Sequence, residues 1–462
     1  MAGIVAVGAA LPSWRLSRKD VAAAWGERGS SGVLAVCADD EDALTLAAQA
    51  GERALAAAQA TAESVDALVW ATTRPPFAEG PNHALLAAAL GLPPGCGGYL
   101  MTGSAHTGIE ALFAATDLVT AGSARRVLVV CSEDPRPGPG TGWERVAAAA
   151  AGAAVIDGGE GAPATIRGRA TNSDPVIDRY RGADDLVTRD LYDARLYREQ
   201  IFTPAVTTVA AALAGGETLA GWSLPDPDGR LGAAVARKVD ADAPALTGAI
   251  GYAGAAATLL GGFSALTTPG LVGLIGHGGG RTSGLVLDVT EPVPGGETLP
   301  ALIDSGRPAS YAEVLRAHAQ LVPATEPMPM GVPPGSAAFV RGGREVLALL
   351  GARCVDCGTV ATPPSIHPRC PACGSDKSTE VPLARTGTVH TYVVNHTMPA
   401  PFVAPLPIAV VDLDDGARLM LQVTGDGIGI DIGDPVRLVL RRYAIERGVP
   451  VYGYKVELAK EA

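Results

Sequence analysis

The sequence predicts an α/β protein, a large sheet-and-helix domain followed by a small all-β module. Three observations predict it. From residue 1 to about residue 300, short apolar runs alternate with Ala-rich helical stretches. Four of the seven cysteines then cluster as two Cys-x2-Cys pairs, Cys354/Cys357 and Cys370/Cys373. The remaining segment alternates apolar and polar residues around a DDG turn, as antiparallel strands do.

The chain has 462 residues, enough for two or three domains. Hydrophobic residues make up 47% and charged ones 18%, so a large core is available. The net charge of −12 and a pI near 5.1 argue against nucleic acid as a partner, because phosphate binding needs a basic surface. Apolar runs such as LVGLIG are too short for a membrane span. MAGIVAVGAALPSWRLS lacks a basic leader and reads as a first strand and turn, so a cytoplasmic protein is expected. Cys37, Cys96 and Cys131 are scattered without pairing logic, which fits a reducing compartment.

Residues 1–160 form a first half. IVAVGAAL, DALVWATT and RVLVVCSE read as buried strands, and DALTLAAQAGERALAAA, ALLAAALG and HTGIEALFAATDLVTAG as helices. This alternation implies a mostly parallel sheet covered on both faces. Residues 161–305 form a second half. It holds a long helical segment, RDLYDARLYREQIFTPAVTTVAAALAG, a Gly-rich turn entering an Ala-rich helix, and a strand ending in GHGGG. Residues 306–350 hold a helix, SYAEVLRAHAQL, and a Pro-rich linker, PATEPMPMGVPPG. Residues 351–383 hold the cysteines, and residues 384–462 hold the several short strands of a small antiparallel barrel.

The cysteine pairs are separated by twelve residues, and each Cys-x2-Cys is followed by Gly. That spacing aims four thiolates at one ion. Four thiolates make a closed tetrahedral zinc site, which is structural, since a catalytic zinc keeps an open position. His367 lies between the pairs as a spare polar residue.

The helix SYAEVLRAH, the ribbon CVDCG…CPACG, the strand start TGTVHTYVVNH and IGDPVRLVL resemble the zinc-ribbon/OB-fold proteins that accompany thiolases and hydroxymethylglutaryl-CoA synthases. The resemblance covers about residues 308–458. It implies an OB-fold and partnership with a thiolase-type enzyme. The larger region resembles the hydroxymethylglutaryl-CoA synthase branch of the thiolase superfamily, through DEDALTLAAQAGERAL, DALVWATTRP, RVLVVCSED and GYAGAAATLLGGFSAL. That implies thiolase-like duplicated α-β-α layers, a coenzyme A thioester as substrate or ligand, and a homodimer.

The resemblance also implies a Cys nucleophile at the start of a buried helix, where the dipole and a His lower its pKa. In GSAHTGIEALFAA that position falls on Ala105. The general-base His position falls near Pro225, the Asn position on Tyr252 and the general-acid Glu position around Thr73. Condensation through an acyl-cysteine is therefore not expected. Cys96 lies too early to replace the nucleophile, Cys131 closes an apolar strand as a core residue, and Cys37 sits in a loop.

His106, next to the vacated position, can serve as acid or base, or be a satisfied histidine near a helix start. Tyr252 can donate to an oxyanion, or fill the space left by the lost groups. Ser104 is a third candidate or the helix N-cap. His277, in GHGGG, is open in role. The basic ARR at 124–126 can meet coenzyme A phosphates or be a solvated helix end.

Two functions of different class follow. The first is an acyl-CoA or acyl-carrier thioester protein that transfers acyl groups, or makes or breaks C–C bonds, without an acyl-cysteine. The alternative is a non-catalytic scaffold that partners an active thiolase-type subunit.

Overall fold

The computed structural model describes residues 2–159, 161–183, 185–190, 193–321, 343–398, 404–425, 429–446 and 449–459. The chain divides into two compact units, residues 1–87 with 92–322 and residues 88–91 with 323–462.

In the large unit the apolar runs become strands of a mixed sheet. They are β1 (Gly3–Ala10), β2 (Ala67–Ala71), β3 (Gly97–Met101), β4 (Arg126–Glu133), β5 (Ala150–Asp157), β6 (Ala164–Ser173), β7 (Gly221–Ser223), β8 (Gly270–Gly278) and β9 (Arg281–Val289). Their order is β7-β8-β9-β6-β1-β5-β4-β2-β3. The two halves of the sheet meet only at Gly3↔Thr165 and Ile4↔Ala164, between β1 and β6.

The expected mostly parallel sheet is corrected. Parallel pairing is confined to β2/β3, β2/β4 and β7/β8, and the other neighbours are antiparallel. Parallel neighbours need a crossover of a dozen or more residues. The β8–β9 connection is a two-residue turn, Gly279–Gly280, with φ of 61° and 70°, and it can only make a hairpin. Helix–strand alternation reports which elements occur and carries no information on their direction.

Helix α1 (Ala43–Ala57) starts where the sequence ends a run of acids. Asp42 Oδ1 accepts the Leu44 and Thr45 N–H groups at 3.0 Å, and Thr45 Oγ1 accepts the Asp42 N–H at 2.9 Å, closing a capping box. Helix α2 (Thr107–Thr120) is apolar on more than one face. Its Ile109 and Leu112 share one core with Val127 and Val129 of β4 and with Leu274 and Leu285 of β8 and β9, so it is buried between the two halves. Each such side chain contributes about 2 kcal/mol.

The long helical segment expected over 189–215 is shorter than that. Arg189–Asp190 pairs with Arg179–Tyr180 as a small β-ribbon. The helix begins at Ala194, passes a π-helical turn at Tyr197–Phe202 and continues as α3 (Thr203–Ala214). A π-turn re-aims side chains within a helix.

The small unit carries a three-stranded antiparallel ribbon, Leu350–Cys354 with Val360–Ala361 and Ser378–Pro382. Five antiparallel strands follow: β10 (Thr386–Asn395), β11 (Leu406–Leu413), β12 (Arg418–Gln422), β13 (Pro435–Glu446) and β14 (Val449–Leu458), in the order β12-β11-β10-β13-β14. A bridge between Val423 and Val456 brings the two ends together, so the barrel is nearly closed. The DDG signal is the β11–β12 turn, with Gly416 at φ 89°. SYAEVLRAHAQL is helical over Tyr311–Ala317, with a Ser310/Glu313 capping box. The Pro-rich segment PATEPMPMGVPPG lies outside the described residues. No described helix is long and apolar enough to cross a membrane.

Gly108 sets how closely α2 approaches the second half. A Cβ there would fall inside the van der Waals radius of the Ala255 carbonyl oxygen, which is backbone and cannot swing away. Gly108→Ala should therefore cost about 3 kcal/mol by overpacking, read as a lowered midpoint in denaturant. An unchanged midpoint would refute this packing.

Candidate functional site

A cleft with about 780 Å³ of empty space, including the open solvent at its mouth, lies in the large unit at the start of α2. Ala105 lines it, two residues before the helix begins, and packs beside Trp143, Ala147 and Tyr252. No cysteine lines this cavity. Cys131 is fully buried on β4, where burial alone pushes its thiol up to about 12. Cys37 is also fully buried, and burial holds its thiol well above the usual range. Cys96 is half-buried just before β3. None is a reactive thiolate.

Of the residues expected at the site, Tyr252 lines the cavity and His106 does not. Tyr252 is 3% exposed and meets Trp143 edge-to-face with centroids 6.1 Å apart. Its backbone is pinned, with N–H to Val146 O at 2.6 Å and its carbonyl accepting from Ala148 at 3.0 Å. Burial raises its phenol pKa. The His106 ring is 2.6 Å from the Ser104 hydroxyl through Nδ1. Burial lowers its pKa, with Glu110 acting the other way.

The N-cap reading of Ser104 is corrected. The cap position is His106, and the Ser104 carbonyl accepts from Thr107 N at 3.1 Å and from Thr107 Oγ1 at 2.8 Å. Pro225 does not line the cavity, while Pro227 does. Of the ARR patch, Arg126 opens β4 and pairs with Asp157 at 2.6 Å, so it is neither a solvated helix end nor an unengaged phosphate ligand.

Two groups of titratable side chains line the cavity. On one side is Glu133, the last residue of β4, 1% exposed. Its Oε1 accepts the Thr73 hydroxyl and its Oε2 accepts Ala255 N–H at 3.1 Å. Burial pushes its carboxyl up to about 7, with the Thr73 and Ala255 donors pulling it back. Gly254, at φ +48°, leaves the space that Oε2 occupies; a Cβ there would overlap the carboxylate.

The second group joins Asp178, Tyr197 and His277 from three distant segments. The Tyr197 hydroxyl lies 3.2 Å from Asp178 Oδ2 and 2.7 Å from His277 Nε2, and His277 Nδ1 lies 2.7 Å from Thr282 Oγ1. Asp178 also accepts Gly279 N–H at 3.1 Å. One arrangement satisfies all these groups. Tyr197 donates to the carboxylate, His277 donates from Nε2 to the phenol oxygen, and Thr282 donates to Nδ1. Burial drives the His277 pKa down to about 4, against the pull of Asp178, so the imidazole is neutral near pH 7.

Arg74, Arg179 and Arg181 complete the lining. Arg179 lies 3.5 Å over the Trp143 ring and donates to Asp190 at 2.9 Å. Sequence reading missed Glu133, Asp178 and Tyr197. The one available signal was an acid closing six buried residues in RVLVVCSE.

In the small unit, the sulfurs of Cys354, Cys357, Cys370 and Cys373 lie within 4.8 Å of one another. The Cys354–Cys373 and Cys357–Cys370 sulfurs are 3.6 and 3.5 Å apart. A tetrahedron with metal–sulfur bonds of about 2.3 Å has edges of roughly 3.8 Å, so the cluster fits a metal ion.

The family model for the ChsH2 C-terminal OB-fold domain matches residues 380–441. A DUF35 domain-containing scaffold protein of Methanothermobacter thermautotrophicus is 38% identical over 113 residues, 23% of this chain and 84% of that protein. Through its C-terminal region the chain belongs to the DUF35 family. The DUF35 region is joined to a larger one. Hydroxymethylglutaryl-CoA synthase of Methanopyrus kandleri is 29% identical over 161 residues, 33% of this chain and 46% of that enzyme. The chain spans about half the length of the synthases it matches. A crystal structure of HMG-CoA synthase complexed with CoA superposes with TM-score 0.59 at 17% identity, over 71% of this chain and 91% of that one. The large unit of this DUF35 protein thus has the thiolase-like fold of that synthase.

The two titratable groups shift stability in opposite directions. Glu133 has a folded pKa of about 7, above its ordinary 4.5. Its contribution is full below about pH 4.5 and lost as pH rises through 7. Glu133→Gln should therefore gain in Tm relative to wild type as pH is raised from about 5 to about 8. His277 has a folded pKa of about 4, below 6.5, so its contribution is lost as pH falls from about 6.5 to 4. His277→Gln should flatten that acid-side loss. Differences in Tm that stay constant with pH would refute both assignments.

Proposed function

We propose that the large unit binds an acyl-CoA or acyl-carrier thioester in the cavity at the start of α2. There it makes or breaks a C–C bond, or transfers an acyl group, without an acyl-cysteine. One observation carries this reading. Two titratable groups, Glu133 and Asp178–Tyr197–His277, line the same cavity as Ala105, and no thiol does. That equipment supports proton transfer and oxyanion stabilisation. Tyr252 is a further donor in the cavity, and His106, outside the lining, borders it through Ser104, the Gly278 backbone and His277. The coenzyme A chain of the synthase whose fold this unit shares supports the ligand class.

The four cysteines hold one structural zinc ion, which stabilises the ribbon and takes no part in chemistry. Among the described residues no strand pairs with the outer edge of β3, which exposes Tyr99 (46%) and Leu100 (37%). We infer that a second copy pairs there, giving a homodimer across that edge. The alternative reading, a scaffold for a thiolase-type enzyme, is favoured by the DUF35 scaffold relatives.

Acetyl-CoA and longer acyl-CoAs should bind the full-length protein in calorimetry, and intact-mass spectra should show no acyl adduct. An adduct on any cysteine would refute the non-covalent reading. Binding without turnover, alone or with a thiolase, would leave the scaffold. Metal analysis should find one zinc per chain, and chelation should lower the melting temperature; a metal-free protein of unchanged stability would refute the zinc site. Light scattering should give twice the chain mass, reduced to one by Tyr99→Asp.

A further inference from the structure

We propose that Glu133 is the base of this site, taking the proton from the carbon next to the thioester carbonyl of the bound acyl group. This inference rests on the thioester reading above.

Three observations support it. The position expected to carry an acid at the end of β2 holds Thr73, and the Thr73 hydroxyl donates to the Glu133 carboxylate. The two strands are parallel neighbours, with Ala71 opposite Cys131, so the residues two beyond each pair arrive at the same end of the sheet. A carboxylate lost from one strand end is thus supplied from the adjacent one, at the same place in the cavity.

Second, among the described residues Glu133 has no cationic partner in hydrogen-bond contact. It is held by the Thr73 hydroxyl and by the backbone N–H groups of Ala255 and Thr73, which orient it without neutralising it. A structural buried carboxylate is usually paired with a cation. The charged and titratable groups facing it are Asp134, next in the chain, Arg74 after β2, and Tyr252 on the 251–254 turn.

Third, the backbone makes room for it. Gly254 sits where any side chain would overlap Oε2. Its pKa of about 7 matches a group that exchanges a proton near neutral pH.

The step balances without a co-reactant. The C–H bond breaks and its proton forms an O–H bond on the Glu133 carboxylate. The electron pair moves into the new C=C of an enolate, and the charge appears on the thioester oxygen. The reverse returns a proton to carbon.

Exchange in D2O isolates this step from any complete reaction. Acetyl-CoA and butanoyl-CoA are incubated with the full-length protein, and deuterium uptake at the α-carbon is followed by mass spectrometry above the protein-free rate. Binding is measured in parallel by calorimetry. Wild type should bind and exchange, with a rate that rises through about pH 7. Glu133→Gln should bind and exchange at least ~100-fold more slowly. Thr73→Val removes a donor that favours the ionised carboxyl, so its exchange profile should shift to higher pH while exchange is kept.

Exchange that survives in Glu133→Gln overturns the inference and leaves the thioester reading intact. So does binding by wild type without exchange. If Glu133→Gln fails to fold, an unshifted Thr73→Val profile overturns it. Failure of wild type to bind any probe overturns the thioester reading and this inference with it.

Discussion

Helix α2 is packed on both sides, and the large unit is arranged around that constraint. A helix enclosed this way can have no wide polar face, which is why HTGIEALFAATDLVTAG carries small and apolar residues almost all round. Close approach at Gly108 then brings the helix start against the 253–256 turn. The cavity opens at that junction, so its position follows from packing. The same junction supplies both Ala105 and the Ala255 N–H that holds Glu133.

Burial also sets the electrostatics. Desolvation is the leading cause at both Glu133 and His277, and it favours the neutral form of each. The carboxyl is pushed up and the imidazole down. The result is a cavity in which Glu133 exchanges its proton near neutral pH and the His277 imidazole is neutral, next to arginines at its lining. The cavity lining thus holds groups able to exchange protons and no thiol.

The small unit follows a different logic. Its ribbon has too few residues for a core, and Cys357 and Cys373 are exposed. Its four cysteine sulfurs converge within 4.8 Å of one another, an arrangement that fits a metal ion. The barrel after it closes its edges through the Val423–Val456 bridge, which leaves few free strand edges.

The amino-acid sequence by itself determined the elements, the four-cysteine cluster and the alanine at position 105. Each is written in local spacing: period-2 and period-3.6 apolar patterns, Cys-x2-Cys pairs with their glycines, and Ala105 just before GIEAL. Cys131 was legible as core for the same reason, since it ends a run of buried apolar residues. Strand direction was not legible, because alternation of strands and helices is the same for parallel and antiparallel neighbours; the two-residue Gly279–Gly280 turn decided part of it. The site was legible at Thr73, Ser104, Ala105, Tyr252 and His277, which all line the cavity. Asp178, Tyr197 and His277 stand far apart in the chain and meet only after the halves have packed. Glu133 reads in sequence as the polar end of a strand. Only the tertiary structure buries it, removes water from it and sets Thr73 and Ala255 around it, and those three acts give a carboxyl its chemistry.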